Sequence, residues 1–538
     1  MDDLSLHHHD PFKKTGELTF RRAAKTLKDE LPNLTEEQRM VRVMQLVALI
    51  GDAHTQLEPE NPEFAYWYPI RMLEFTDGYF VTSAHKSVKD LAGAQVLTVA
   101  GQPIEQVANV ARSLLGAENA FDYKQRLYAI HNVALMRGLG YAQANGDLKV
   151  TLKLKSGRRV NRTLSAHRGT HPRFGENNSG FEWQFTGEMY GLPFDTYDDW
   201  FSAYKGIPAS AFLEADNSRP PHLTKRYDFS SRALPESDAY YLQFNWVDDT
   251  AFVPFLRKAL LEVDEMKPKR LIIDFRFNFG GDASKGADMI AEFIKRKDNP
   301  PWEELYILYG PKTFSAAVLI LYLFFEHTLF TSVGEPAGGA FNMSGDPLDW
   351  RYPTTGLYLR ISTLYYQKSS SDDLSSFISV DYPAPFAFAD YVACKDTAVD
   401  TILSSEDVRA ITQVALKEGG AAARKAYATR KEKFKNLSWW QPPTEIELRK
   451  TCDLLQEQGR MDEALETCKL NSEINPTIWN VWYNLGAIQR KMGLDEAFSS
   501  YRCVTEIEPH NWNVASIKDL FERMDVDPDL PAGCPVEN

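Results

Sequence analysis

The residues of this chain whose types and spacing suit acyl-transfer chemistry lie in three short stretches. In the first, Asn278-Phe279-Gly280-Gly281 follows an apolar run and forms a turn poor in side chains. Glycines allow close approach, and outward N–H groups in such a turn can cradle a phosphate or an oxyanion, although a plain strand-to-helix turn has the same composition. In the second, Gly310-Pro311-Lys312-Thr313-Phe314-Ser315-Ala316-Ala317 breaks a strand and opens an apolar helix. A serine at that point either caps the helix or serves as a nucleophile where the helix dipole favours developing negative charge. The third stretch, Ser332-Val333-Gly334-Glu335-Pro336-Ala337-Gly338-Gly339, is another glycine turn.

Regular elements must position these turns. Leu271 to Ile273 are apolar and mostly β-branched, which predicts a buried strand, and Ala283 to Lys295 has a helical pattern with Ala287, Ile290, Phe293 and Ile294 near one face. Upstream, Tyr240 to Trp246 reads as a strand and Phe252 to Val263 as a helix. Strand, helix, strand and glycine turn in that order predict an α/β core.

Taken together, Leu271-Ile272-Ile273-Asp274-Phe275-Arg276-Phe277-Asn278-Phe279-Gly280-Gly281, Thr313-Phe314-Ser315-Ala316-Ala317 and Gly334-Glu335-Pro336-Ala337-Gly338-Gly339 resemble, in order, the C-terminal processing (tail-specific) serine peptidases and their tricorn-type relatives. The resemblance implies stacked β and α units of crotonase/Clp-like type, Ser315 as nucleophile, and an oxyanion hole of backbone N–H groups around Gly280 and Gly281. It also bears on Gly51-Asp52-Ala53-His54-Thr55, just past a helix expected to start near Leu34-Thr35-Glu36-Glu37-Gln38 and to end at Gly51. On its residues alone His54 is a helix-terminal cap. Tricorn-type members carry a similar Gly-Asp-x-His-Thr segment whose histidine is the general base, and His54 falls on that position. The tail-specific branch instead uses a lysine after the nucleophile helix, but Gly334 to Trp350 contains none. Histidine, with an ordinary pKa of ~6.5, suits the role near neutral pH. Candidates for a third, orienting group are Glu335, Asp346, Asp372, Asp373 and Asp381. No metal or organic cofactor is called for, and the substrate implied is a peptide or protein.

Composition sets the outer limits. The chain has 538 residues, 43% hydrophobic and 25% charged, as in an ordinary globular protein of several domains. A net charge of −14 argues against sequence-independent nucleic-acid binding. The longest apolar run, Ala316 to Phe325, is too short to cross a bilayer, so no membrane role is expected. Met1 to Lys14 has no apolar leader core, and five cysteines without zinc-type spacing predict reduced thiols; both point to the cytoplasm. His7-His8-His9 reads as an incidental run.

The expected organisation has six parts: an N-terminal helical region carrying His54 (1–67), a strand-rich, PDZ-like region (68–164), an irregular aromatic insert (165–235), the catalytic α/β core (236–404), a helical connector (405–443), and an all-α repeat module (444–538). The PDZ-like reading rests on Gly93 to Ile104, which resembles a family segment. In the last part Gly459 and Gly493 open similar segments 34 residues apart, and Glu473-Ile474-Asn475-Pro476 is echoed by Glu506-Ile507-Glu508-Pro509, the tetratricopeptide period. Such repeats commonly bind protein partners. The rival to a working hydrolase is a peptidase-fold scaffold without turnover that binds partners through this module.

Overall fold

The computed structural model describes residues 2–59, 66–168, 200–203, 229–247, 250–352, 354–369, 375–393, 395–510, 513–523 and 534. Most of the expected aromatic insert, together with Asp372, Asp373 and Cys394, lies outside them. The chain is a mixed α/β protein in two compact units. The first comprises Met1–Leu329, Val333–Ile378 and Ala384–Glu406; the second comprises Phe330–Ser332, Ser379–Pro383 and Asp407–Asn538.

At the centre of the first unit Ala239–Phe244, Arg270–Asp274 and Glu304–Tyr309 run parallel, and Phe229–Leu234 joins antiparallel to the first of them. Leu271 pairs with Leu305 and Ile273 with Ile307. Leu271, Ile272 and Ile273 are all fully buried, which explains an unbroken apolar run rather than alternation. Helices Phe252–Met266, Lys285–Ile294 and Ala316–His327 follow these strands.

The sheet is tied down by charge as well as by packing. Arg276, just beyond the Arg270–Asp274 strand, reaches Asp274 at 2.6 Å and Asp396 at 2.7 Å. Asp274 also accepts the Tyr241 hydroxyl at 2.6 Å, and Asp396 caps the Thr397–Leu403 helix through the Val399 N–H. These two buried carboxylates and one guanidinium hold the exit of the strand in place.

Two further sheets belong to this unit. One is antiparallel and includes Gly78–His85, Gln95–Val99, Leu148–Lys153 and Arg159–Leu164. The other joins Gln56–Pro59 to a long hairpin, Asn342–Tyr352 with Leu357–Gln367. The helix Glu36–Ala48 starts with a capping box between Thr35 and Gln38 and delivers the chain, through Gly51 at φ +82°, to the His54 loop.

Over its described residues, the second unit from Ile411 onward is helical: Ile411–Glu418, Gly420–Lys433, Glu445–Glu457, Met461–Ile474, Trp479–Lys491, Glu496–Ile507 and Asn513–Arg523. Gly486 lies so close to Tyr501 that a Cβ there would meet its ring at 2.8 Å. The expectation of reduced thiols is corrected here, because Cys452 is bonded to Cys468 and Cys503 to Cys534. Spacing could not show this, since the first pairing depends on how helix Glu445–Glu457 lies against Met461–Ile474. The compartment inferred from free thiols loses that support. Among the described residues no helix is long and apolar enough to cross a membrane.

Candidate active site

Ser315 sits at the N-terminus of the helix Ala316–His327 with φ +54° and ψ −126°, a backbone conformation that costs a non-glycine residue about 1–3 kcal/mol. The strain is held from both sides. Thr313 is fully buried, and its hydroxyl donates to the Phe275 carbonyl at 2.8 Å and accepts from the Gly310 N–H. The Phe314 N–H donates to the Asn278 carbonyl at 3.0 Å. Asn278, also fully buried, donates from Nδ2 to the Phe244 carbonyl and accepts the Gly280 N–H at 2.8 Å. The glycine turn and the serine turn are thus bolted together through one asparagine.

Gly280, at φ +108°, shows why no side chain is allowed there: a Cβ would lie 2.7 Å from Ser315 Cβ and 2.8 Å from the Ala316 nitrogen. Its N–H, however, is committed to Asn278. Among the described residues no hydrogen bond occupies the N–H groups of Gly281 and Ala316. Two unengaged donors therefore flank the serine, one on each turn. Sequence reasoning singled out the glycines and passed over Ala316, although the first residue of a helix leaves its N–H unpaired.

His54 comes to the same place from the other end of the unit. Its Nε2 is 3.0 Å from Ser315 Oγ, across 261 residues of sequence. The ring stacks on Phe314 at 4.4 Å and is 7% exposed. Burial pushes its pKa down to about 4, with Asp52 working in the opposite sense, so the imidazole is neutral at neutral pH. Nδ1 is buried without a hydrogen-bond partner among the described residues; the Ser344 backbone lies close enough to favour the protonated ring without meeting hydrogen-bond geometry.

The loop carrying His54 is organised by Asp52, which sequence reasoning quoted within its motif but gave no task. Asp52 Oδ1 accepts the N–H groups of His54 and Thr55 at 2.8 and 2.7 Å and the Ser362 hydroxyl at 2.7 Å, and Oδ2 accepts from His8 Nε2 at 2.7 Å. Burial works to raise the Asp52 pKa, but these bonds outweigh it and hold the carboxyl well below the usual carboxylate range. Glu118 accepts the Ala53 N–H at 3.1 Å, and burial pushes its pKa up to about 7 against the pull of Lys14. Asp52, His54 and Glu118 bring potential ligand atoms within 4.8 Å of one another. Four hydrogen bonds already engage the Asp52 oxygens, so the group is built as a support for the loop.

Two of the expected orienting acids are engaged elsewhere. Asp346 accepts the Tyr366 hydroxyl at 2.6 Å, and Asp381 accepts the Ser332 N–H and hydroxyl at 2.8 and 2.7 Å. Burial raises the pKa of Glu335, whose charged neighbours are Lys124, Glu74 and Arg276. A lysine is present on the near side of the nucleophile segment instead of beyond it: Lys312 is 4% exposed, packs on the Phe279 ring, and is pushed well below the usual lysine range by burial.

No family model matches the sequence, and no curated protein does. Solved structures do: the chain shares its fold with CPAF. In particular, it is similar to the crystal structure of a CPAF point mutant, at 12% identity and TM-score 0.51 over 78% of this chain and 96% of that one. Mature CPAF complexed with lactacystin gives 13% identity and TM-score 0.47 over 75% and 94%, and the photosystem II D1 C-terminal processing protease 12% and 0.31 over 73% and 98%.

Proposed function

We propose that this chain is a serine peptidase in which Ser315 is the nucleophile and His54 the general base. The observation that carries the reading is the 3.0 Å approach of His54 Nε2 to Ser315 Oγ on a strained turn. Neutral Nε2 accepts the hydroxyl proton as Oγ bonds to the substrate carbonyl carbon, and the carbonyl oxygen becomes an oxyanion. The N–H groups of Gly281 and Ala316 receive that charge, while Gly280 contributes the missing side chain that lets the carbonyl approach. His54 then gives its proton to the leaving amine, and water, deprotonated by the same nitrogen, hydrolyses the acyl-enzyme.

Crotonase/Clp-like stacking of the core, a peptide groove on the strand-rich region and a tetratricopeptide-type partner module after residue 444 belong to the same proposal, as does the six-part division of the chain. A second reading, a scaffold without turnover, draws on one observation: His54 Nδ1 has no carboxylate to orient it among the described residues. The test is a mixed peptide library together with a fluorophosphonate probe of nucleophilic serines. Cleavage and labelling that vanish in Ser315→Ala and His54→Ala are expected; a wild-type protein that neither cuts nor labels hands the case to the scaffold.

A further inference from the structure

The histidine run at the N-terminus is not incidental in three dimensions. In the short helix Asp2–His7 and the turn after it, Leu4 and His8 are buried, whereas Leu6, His9 and Asp10 are exposed. Four residues apart, Leu4 and His8 share one face. Leu4 joins the main hydrophobic core of the first unit. His7 packs on Trp350 at 4.7 Å and His9 on Tyr365 at 5.4 Å, so the segment lies along the same hairpin that supplies Ser362.

His8 is the member that points inward. Its Nδ1 accepts the Asp10 N–H at 3.0 Å, which places the ring proton on Nε2, and Nε2 donates to Asp52 Oδ2 at 2.7 Å. Both side chains are almost fully buried, at 2% and 4% exposure. His8 is therefore the only partner of Asp52 Oδ2 among the described residues, while Oδ1 of the same carboxylate fixes the backbone of His54 and Thr55.

We propose that His8 is a positioning residue for the Ser315–His54 pair, acting through Asp52, so that the docked N-terminal segment is a working part of the site. The inference rests on the serine-peptidase reading above. Without His8 one oxygen of a buried carboxylate is left unsatisfied, and Asp52 regains a partner only by turning. The N–H groups of His54 and Thr55 turn with it, and the 3.0 Å contact to Ser315 lengthens. Misplacement of a catalytic group by about 1 Å can cost roughly 100-fold in rate.

The experiment compares wild type, His8→Ala, His8→Gln, His7→Ala and His9→Ala by the rate of fluorophosphonate labelling at Ser315 and by kcat and KM on a peptide that the protein cleaves. In His8→Ala, labelling and kcat should fall about 10- to 100-fold with KM changed less than about twofold. In His8→Gln most of the rate should return, because the glutamine amide donates from near the position of Nε2. The two neighbouring variants should stay within about twofold of wild type. Should His8→Ala fail to fold, His8→Asn, whose amide is one carbon short of Asp52, takes its place. Wild-type labelling rates in His8→Ala, or a His8→Gln as slow as His8→Ala, overturn the role of His8 alone. A wild-type protein that is not labelled at all overturns the serine reading, and the inference with it.

Discussion

At the scale of single residues the proposed mechanism depends on what the site withholds from water. His54 is neutral because burial penalises its charged form, which keeps Nε2 free to accept a proton over a wide pH range. The sign follows directly: a base fails when protonated, so activity is lost as pH falls through its pKa. The acid limb of kcat/KM should lie below the ordinary histidine value of ~6.5 and toward 4, and a limb at 6.5 or above on a pH–rate profile would contradict this environment. The local patterns around Ser315 and His54 read only as helix caps, and it was the resemblance to C-terminal processing and tricorn-type peptidases that put the two forward as a pair; the structure places them 3.0 Å apart. Asp52, Asn278, Ser362 and His8 were not legible in the sequence, because each is defined by a partner distant in sequence or by a backbone N–H that leaves no mark on side-chain type.

At the scale of elements the parallel strands were readable, since Leu271, Ile272 and Ile273 lie between layers and need no polar face. Asn342–Tyr352 was harder: its Asn, Gly, Asp and Pro resemble a loop, and only Met343 to Gly345 are buried together. Its length comes from pairing with Leu357–Gln367. The Arg276 bridge belongs at this scale also, because it fastens a strand end to a helix start. Arg276→Met should leave the Asp274 and Asp396 carboxylates buried with the cation gone, at a cost of about 3–5 kcal/mol. Chemical denaturation would show this as a lower midpoint with an unchanged slope, and a midpoint within error of wild type would mean that the bridge is dispensable.

At the scale of the whole molecule, both disulfides found among the described residues fall in the second compact unit. The cysteine pairing was not legible in the sequence, since an odd count with irregular spacing carries no geometry. Cys452–Cys468 closes a short loop, for which the chain-entropy model gives about 3 kcal/mol. Reduction, or a Cys452→Ser/Cys468→Ser pair, should lower the unfolding temperature of the second unit; calorimetry in which reductant shifts nothing would refute it. Disulfides persist in oxidising compartments, so that environment is the one in which these bonds should be sought.

If this chain is the serine peptidase proposed above, the sequence separation of 261 between His54 and Ser315 also governs when it could first act on its surroundings. A ribosome adding ~5–20 residues each second makes the base roughly ten to fifty seconds before the nucleophile. Throughout that interval the emerging polypeptide, however well its early strands have paired, has nothing with which to attack a neighbour. On that reading the chemistry waits until residue 315 has been made and its strand and helix have brought it to His54.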